Sequence, residues 1–235
     1  MLPGRRGLTL VEILIASALA LMVGLLALSL FRLVGKASRE TTSSYLISRD
    51  LEDFQRILRS DLQQTALASI QVLPLEGKAA PLPSLSCLTC LDSAGSPTLS
   101  EDGRPEWTGW VVYRLLVSGS GPARLERRIL RRTGALPDLC PSPDGPTQEA
   151  RTLLTNLLPP GQELPGVPRG GTGFRARFLR TGPQGNYELS DQNPARSQDP
   201  RGNTRLVEVQ LSLVEGLETA NPSFLQIPIR VSPRY

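Results

Sequence analysis

The stretch GRRGLTLVEILIAS, Gly4 to Ser17, decides how the rest of the chain is read. Two arginines run into an apolar segment, and one carboxylate, Glu12, sits near its start. From Ile13 to Phe31 no charge occurs. As a helix rising ~1.5 Å per residue, that run is ~28 Å long, close to the ~30 Å hydrocarbon thickness of a bilayer. A secretory apolar region is usually ~7–15 residues and ends at small residues. Here Arg32-Leu33-Val34-Gly35-Lys36 follows instead. The pattern predicts a retained single span over about residues 10–32. Arg5 and Arg6 hold the amino end in the cytoplasm, because basic flanks stay on that side. Glu12 is harder to place. A carboxylate costs ~2.5–3.5 kcal/mol at the centre of a span and usually marks a pairing or a function. Near the end of the span it can also snorkel to the surface.

Gly7-Leu8-Thr9-Leu10-Val11-Glu12, with its basic leader and long apolar sequel, resembles the class III signal of type IV prepilins and pseudopilins. The resemblance implies that a prepilin peptidase removes residues 1–7, cutting between Gly7 and Leu8, and methylates the new terminus at Leu8. Phenylalanine is commoner than leucine at that position. Glu12 matches the family's glutamate at the fifth mature position. It would meet the terminal ammonium of a neighbouring subunit and set axial register. In low dielectric such an attraction is strong, but it must offset the desolvation of both ions.

Beyond the span, Leu51, Phe54, Leu58 and Leu62 step by three and four, with Ile57 beside them. This is an amphipathic helical stripe. Arg49, Asp50, Glu52, Asp53, Arg56, Arg59 and Asp61 make up the solvated face. The expectation is one helix over about residues 8–70, loosened at Gly24, Gly35 or Thr41–Ser44, and a globular head over 71–235. Residues 74–105 read as a proline-rich loop carrying Cys87 and Cys90. Gly109–Val117 and Arg124–Arg132 read as a hairpin around Ser118–Pro122. A short helix is predicted near Glu149–Leu158. Gly173–Arg180, Tyr187–Leu189, Val207–Leu213 and Leu225–Val231 alternate as strands, with Pro228 marking the last as an edge or bulge. Helix first and hairpin-linked strands after predict an α+β fold, with an antiparallel sheet packed on the carboxyl half of the helix. Pilin-like heads share this layout. RILRSDLQQTA, Arg56–Ala66, and the strand sequences GFRARFLRTG and RLVEVQLSL loosely resemble J-type minor pseudopilins and the related PilW minor pilins.

Histidine is absent from the chain. That excludes Ser-His-Asp and Cys-His catalysis and the usual zinc sites. The net charge of +4 is too small to imply a nucleic-acid partner. Cys87, Cys90 and Cys140 fit one disulfide in an oxidising compartment, with the pairing left open. Asp191, Asn193, Asp199 and Asn203 offer oxygens of the kind calcium takes, but their spacing matches no EF-hand, and a solvated loop is the plainer reading. Gly170–Gly173 lacks the lysine of a phosphate loop. Arg124, Arg127, Arg128, Arg131 and Arg132 form the densest basic cluster. It reads as a solvated face or as a salt-sensitive DNA- or surface-binding patch.

The sequence thus points to a structural subunit, without enzymatic activity or cofactor, inserted once in the inner membrane with its head outside the cytoplasm. It would be built into a type II secretion pseudopilus or a type IV pilus as part of a tip or priming complex. The partners implied are the prepilin peptidase, other minor and major pilins or pseudopilins, an inner-membrane assembly platform and lipid. A DNA- or surface-binding tip adhesin and a plain single-span anchored domain are the alternatives.

Overall fold

The computed structural model describes residues 10–74, 83–92, 96–119, 121–131, 140, 149–162, 172–181, 187–190, 204–215 and 223–233. It divides into two compact units, Met1–Arg49 and Asp50–Tyr235.

A single helix, α1, runs over Leu10–Gln63 for 54 residues. The expected loosening at Gly24 or Gly35 does not occur, since both are helical. The flanking leucines and alanines favour helix strongly enough to offset ~1 kcal/mol per glycine. The Ser17 and Ser29 hydroxyls donate to the carbonyls of Leu14 (2.9 Å) and Leu26 (2.8 Å), so neither competes for other backbone groups. The helix ends earlier than the sequence suggests. After Gln63 the chain makes a turn and then a 3-10 helix at Leu67–Ser69. Hydroxyls explain the stop. Thr65 and Ser69 share a hydrogen bond of 2.9 Å, the Ser69 hydroxyl donates to the Ala66 carbonyl, and the Leu88 N–H donates back to Ser69 Oγ at 3.3 Å.

In the second unit the carboxyl half of α1 lies against an antiparallel sheet. Strands β1 (Gln71–Pro74), β2 (Pro83–Thr89), β3 (Gly109–Leu116), β4 (Ala123–Arg131) and β5 (Glu149–Leu157) follow one another in space as in sequence. β5 meets β8 (Thr204–Glu215) at Leu157 and Leu213. Beyond it come β6 (Phe174–Thr181) and β7 (Tyr187–Ser190), while β9 (Ser223–Val231) pairs with β8. The result is an apolar amino-terminal helix followed by a curled antiparallel sheet, an α+β arrangement. The β3–β4 hairpin runs in register from Gly109 opposite Arg131 to Leu116 opposite Arg124.

Two expectations need correction. Cys87 lies in strand β2, not in a loop. Pro83 opens that strand, where a missing N–H is tolerated, and Leu85 and Cys87 alternate with Ser84 and Ser86. Glu149–Leu157 is a strand, not a helix. Leu153, Leu154, Leu157 and Leu158 mimic helical spacing, but Thr152 and Thr155 are β-branched, and Leu154 sits opposite Leu125 of β4. Cross-strand packing overrides the local pattern. On β8 the stripe Val207, Val209, Leu211 and Leu213 is buried as expected, yet Glu208 and Ser212 are buried too. β8 is flanked on both sides, and Arg230 of β9 reaches Glu208 Oε2 at 2.8 Å. β9 lies at an edge, which accommodates Pro228.

Two faces of β2–β3–β4 carry different chemistry, because successive side chains point to opposite sides. Leu85, Tyr113 and Arg127 stand in one cross-strand row, and Cys87, Val111 and Ile129 in the next. These face Phe54, Leu58 and Leu62 of α1, all fully buried. Each such side chain contributes roughly 1.5–3 kcal/mol by leaving water. The other face holds a cluster of Trp110, Val112 and Leu130, with Leu88 and Cys140 against it. Beside that cluster, Glu126 Oε2 accepts from Arg114 Nε (2.8 Å) and Arg128 Nε (2.7 Å). Burial opposes the Glu126 charge, but the hydrogen bonds from Arg128 and Arg114 outweigh it and hold the carboxyl below its usual range.

Candidate functional site

The first unit presents its apolar surface outward. Over Leu10–Gly35 the mean hydropathy is 2.6 and none of the window is buried. Leu10, Ile13, Leu14, Leu21, Leu25 and Phe31 are each more than half exposed. A helix apolar on every side is a membrane span or the core of a larger assembly. Its length and composition fit one membrane crossing. Glu12 lies in the first turn of this helix and its side chain is exposed. A carboxylate there also complements the helix dipole. Gly7 and Leu8 lie outside the described residues.

The second unit contains a group the sequence did not single out. Asp61 stands three residues after Leu58 and seven after Phe54, on the buried face rather than the solvated one. The residue is 5% exposed. Arg127 grips its carboxylate with two hydrogen bonds, Nε to Oδ2 at 2.7 Å and Nη2 to Oδ1 at 3.0 Å. Tyr113 donates its hydroxyl to the same Oδ2. Phe54 meets the Tyr113 ring edge to face, with centroids 6.2 Å apart and planes at 88°. Burial, with the Asp61 charge behind it, pushes the Tyr113 hydroxyl well above its ordinary value. The guanidinium of Arg127 is raised despite burial, because Asp61 accepts its hydrogen bonds. Fork-on-carboxylate pairing of this kind fixes geometry as well as energy. It locks the carboxyl half of α1 to β3 and β4 in one register. The signal for it is the helical spacing of Asp61, which places a charge on the apolar stripe.

The other candidates fall out as follows. All three cysteines are free thiols. Cys87 lies within β2, and Cys90 follows the last residue of that strand, Thr89. Cys87 faces α1, whereas Cys140 packs on the opposite face of the sheet beside Leu88 and Trp110. Burial pushes the Cys87 thiol well above its usual range, and the Asp61 charge adds to this. The Cys140 thiol is raised by burial to about 11. Such thiols are poor nucleophiles. The arginine cluster is largely engaged inside the head. Arg127 holds Asp61, Arg128 holds Glu126, and Arg131 donates to the Asp92 carbonyl. Arg124 is exposed, and Arg132 lies outside the described residues. The calcium candidates Asp191, Asn193, Asp199 and Asn203 are not settled by the fold, since 191, 193, 199 and 203 also lie outside the described residues. Among the described residues no group of three or more His, Cys, Asp or Glu side chains is placed to hold a metal.

No family model, no curated protein and no solved structure matches this chain.

Proposed function

We propose that the chain is a minor pilin or pseudopilin, a structural subunit that enters a type IV pilus or a type II secretion pseudopilus through its amino-terminal helix. The observation that carries this reading is a lipid-length helix, apolar on all sides, with one carboxylate in its first turn. A membrane anchor needs the length and the hydrophobicity, and a helical array gives Glu12 a further role. Cleavage after Gly7 makes an ammonium at Leu8, and the Glu12 of an incoming subunit neutralises the ammonium of a subunit already assembled. A buried ion pair is costly to form and stronger as a register device than as a source of stability. Before assembly the apolar surface rests in lipid, and after it the surface packs on neighbouring helices. The partners are then the prepilin peptidase, the other subunits of the filament and its membrane platform.

Glu12→Leu should leave cleavage and membrane insertion unchanged. Its recovery in sheared filaments, quantified by immunoblot against the membrane fraction, should fall at least about tenfold, as expected when one buried ion loses its partner. Incorporation of Glu12→Leu at the wild-type level would overturn the role given to this carboxylate.

A further inference from the structure

We infer that the outer edge of β9 pairs with the same edge of a second copy of this chain, antiparallel and centred on Ile227. The inference comes from the head alone and holds or fails independently of the filament role. β9 pairs with β8 along its whole length, and no described strand pairs with its other side. The orientation of its backbone follows from β8. Ser212 donates its N–H to Gly173 O, and its carbonyl accepts from Leu158 N–H, both on the side of β8 away from β9. Gln226 stands opposite Ser212. It therefore turns its own N–H and C=O outward, since backbone groups of an antiparallel ladder alternate between the two sides. Phe224, Pro228 and Arg230 share that orientation. Pro228 agrees with it, because a proline sits in an edge strand with its nitrogen facing out. The outer edge thus offers N–H groups at Phe224, Gln226 and Arg230, and carbonyls at these positions and at Pro228. Unpaired strand edges recruit strands.

The sequence of the edge selects the occupant and the register. With Ile227 on the two-fold axis, Phe224 exchanges both backbone bonds with Arg230 of the second copy. Gln226 N–H reaches Pro228 O, and the axis repeats each bond. Centring on Pro228 sets proline against proline, and centring on Gln226 leaves Arg230 with no partner on the strand. The register on Ile227 uses only β9 itself, Ser223–Val231. The side chains agree. Ile229 and Val231 are buried, Ile227 is half-buried and Leu225 is 55% exposed, so the apolar stripe runs out of cover along the strand. Pairing puts Leu225 beside Ile229 of the second copy and Ile227 beside its counterpart. Cross-strand side-chain pairs of this kind stabilise a sheet, and like charges directly opposite destabilise it. The one charge on β9 is Arg230, held by Glu208 of its own chain at 2.8 Å. It lands opposite Phe224 and not opposite another arginine.

The test is cross-linking of the full-length chain in detergent micelles, with copper(II) as oxidant. Residues on the two-fold axis form a non-hydrogen-bonded pair, with Cα atoms ~4.5 Å apart, inside the ~4.4–6.8 Å range of a disulfide. Two Ile227→Cys chains should therefore link through the introduced thiols, found as a linked peptide by mass spectrometry. Leu225→Cys, on the same side of the strand, should yield about tenfold less, because its counterpart lies ~13 Å away along the pair. Adding Gln226→Pro to Ile227→Cys removes an outward donor and leaves the β8 ladder untouched, so the yield should fall about tenfold. Adding Pro228→Gln instead supplies the donor the edge lacks and should raise the yield at least about threefold. Equal yields at positions 225 and 227, no loss with Gln226→Pro, or no gain with Pro228→Gln would overturn the inference.

Discussion

Replacing Asp61 with alanine should destabilise the head by about 3–5 kcal/mol, the range for stranding one member of a buried ion pair. The cause is what the substitution leaves behind. Arg127 keeps a guanidinium whose side chain is 12% exposed. Tyr113 keeps a hydroxyl in a fully buried side chain. Both lose their acceptor at once, and a buried donor without an acceptor carries its full desolvation penalty. Asp61→Leu combined with Arg127→Met and Tyr113→Phe should recover most of the loss, since replacing every member of a buried polar group by apolar side chains is often close to neutral. Urea unfolding of the full-length chain in micelles, followed by tryptophan fluorescence, reads the difference. Trp110 is buried in the sheet and reports directly on its packing. A loss below about 1 kcal/mol for Asp61→Ala would mean that apolar packing of Phe54, Leu58 and Leu62 holds the helix without the latch.

Gly173→Ala should have an effect of similar size for a different reason. At Gly173 the chain passes so close to the end of β5 that a Cβ would lie 2.7 Å from Leu157 Cβ and from the Leu158 carbonyl oxygen. The backbone is also tied there. Gly173 N–H donates to Leu158 O (2.7 Å), Leu158 N–H to Ser212 O (2.9 Å), and Ser212 N–H to Gly173 O (2.9 Å). These three hydrogen bonds close the seam between β5, β6 and β8. A methyl group there must push backbone atoms rather than a flexible side chain, so the loss should reach about 3 kcal/mol, the upper part of the overpacking range. Gly24 is the contrast. A Cβ there meets nothing within 4 Å, so Gly24→Ala should leave the unfolding of the head unchanged. Thermal unfolding of the two variants side by side checks both halves. A Gly173→Ala protein that unfolds with Gly24→Ala would mean that the seam relaxes freely.

How much could be read from the residues alone follows from where the forces are local. Aromatic and β-branched residues such as Trp110, Val111, Val112 and Tyr113 mark β3, and alternation marks β8, where Val207, Val209, Leu211 and Leu213 repeat with the pleat. The apolar run after Glu12 marks the membrane-length helix by its length and lack of charge. The failures lie where tertiary partners decide. Glu149–Leu157 has leucines at helical spacing, and only the presence of β4 makes it a strand. Glu208 has the look of a solvent-facing residue until Arg230 arrives from a strand about twenty residues on. The chemistry of Asp61 suggests the charged face, although its spacing from Phe54 and Leu58 puts it on the apolar one. Its partners, Tyr113 and Arg127, are distant in sequence and carry no local mark. Cys87 looks like a loop residue among the prolines, but pairing with Val111 of β3 makes it part of a strand.

The central claim is that the exposed carboxylate of Glu12 is tolerated because proteolysis creates its cationic partner. The most direct measurement is the intact mass and amino-terminal peptide of the chain purified from membranes of cells with a working prepilin peptidase. The account predicts a polypeptide that begins at Leu8 and carries one added methyl group on its terminal amine. A chain that still begins at Met1 would contradict it and leave a plain anchored domain in its place.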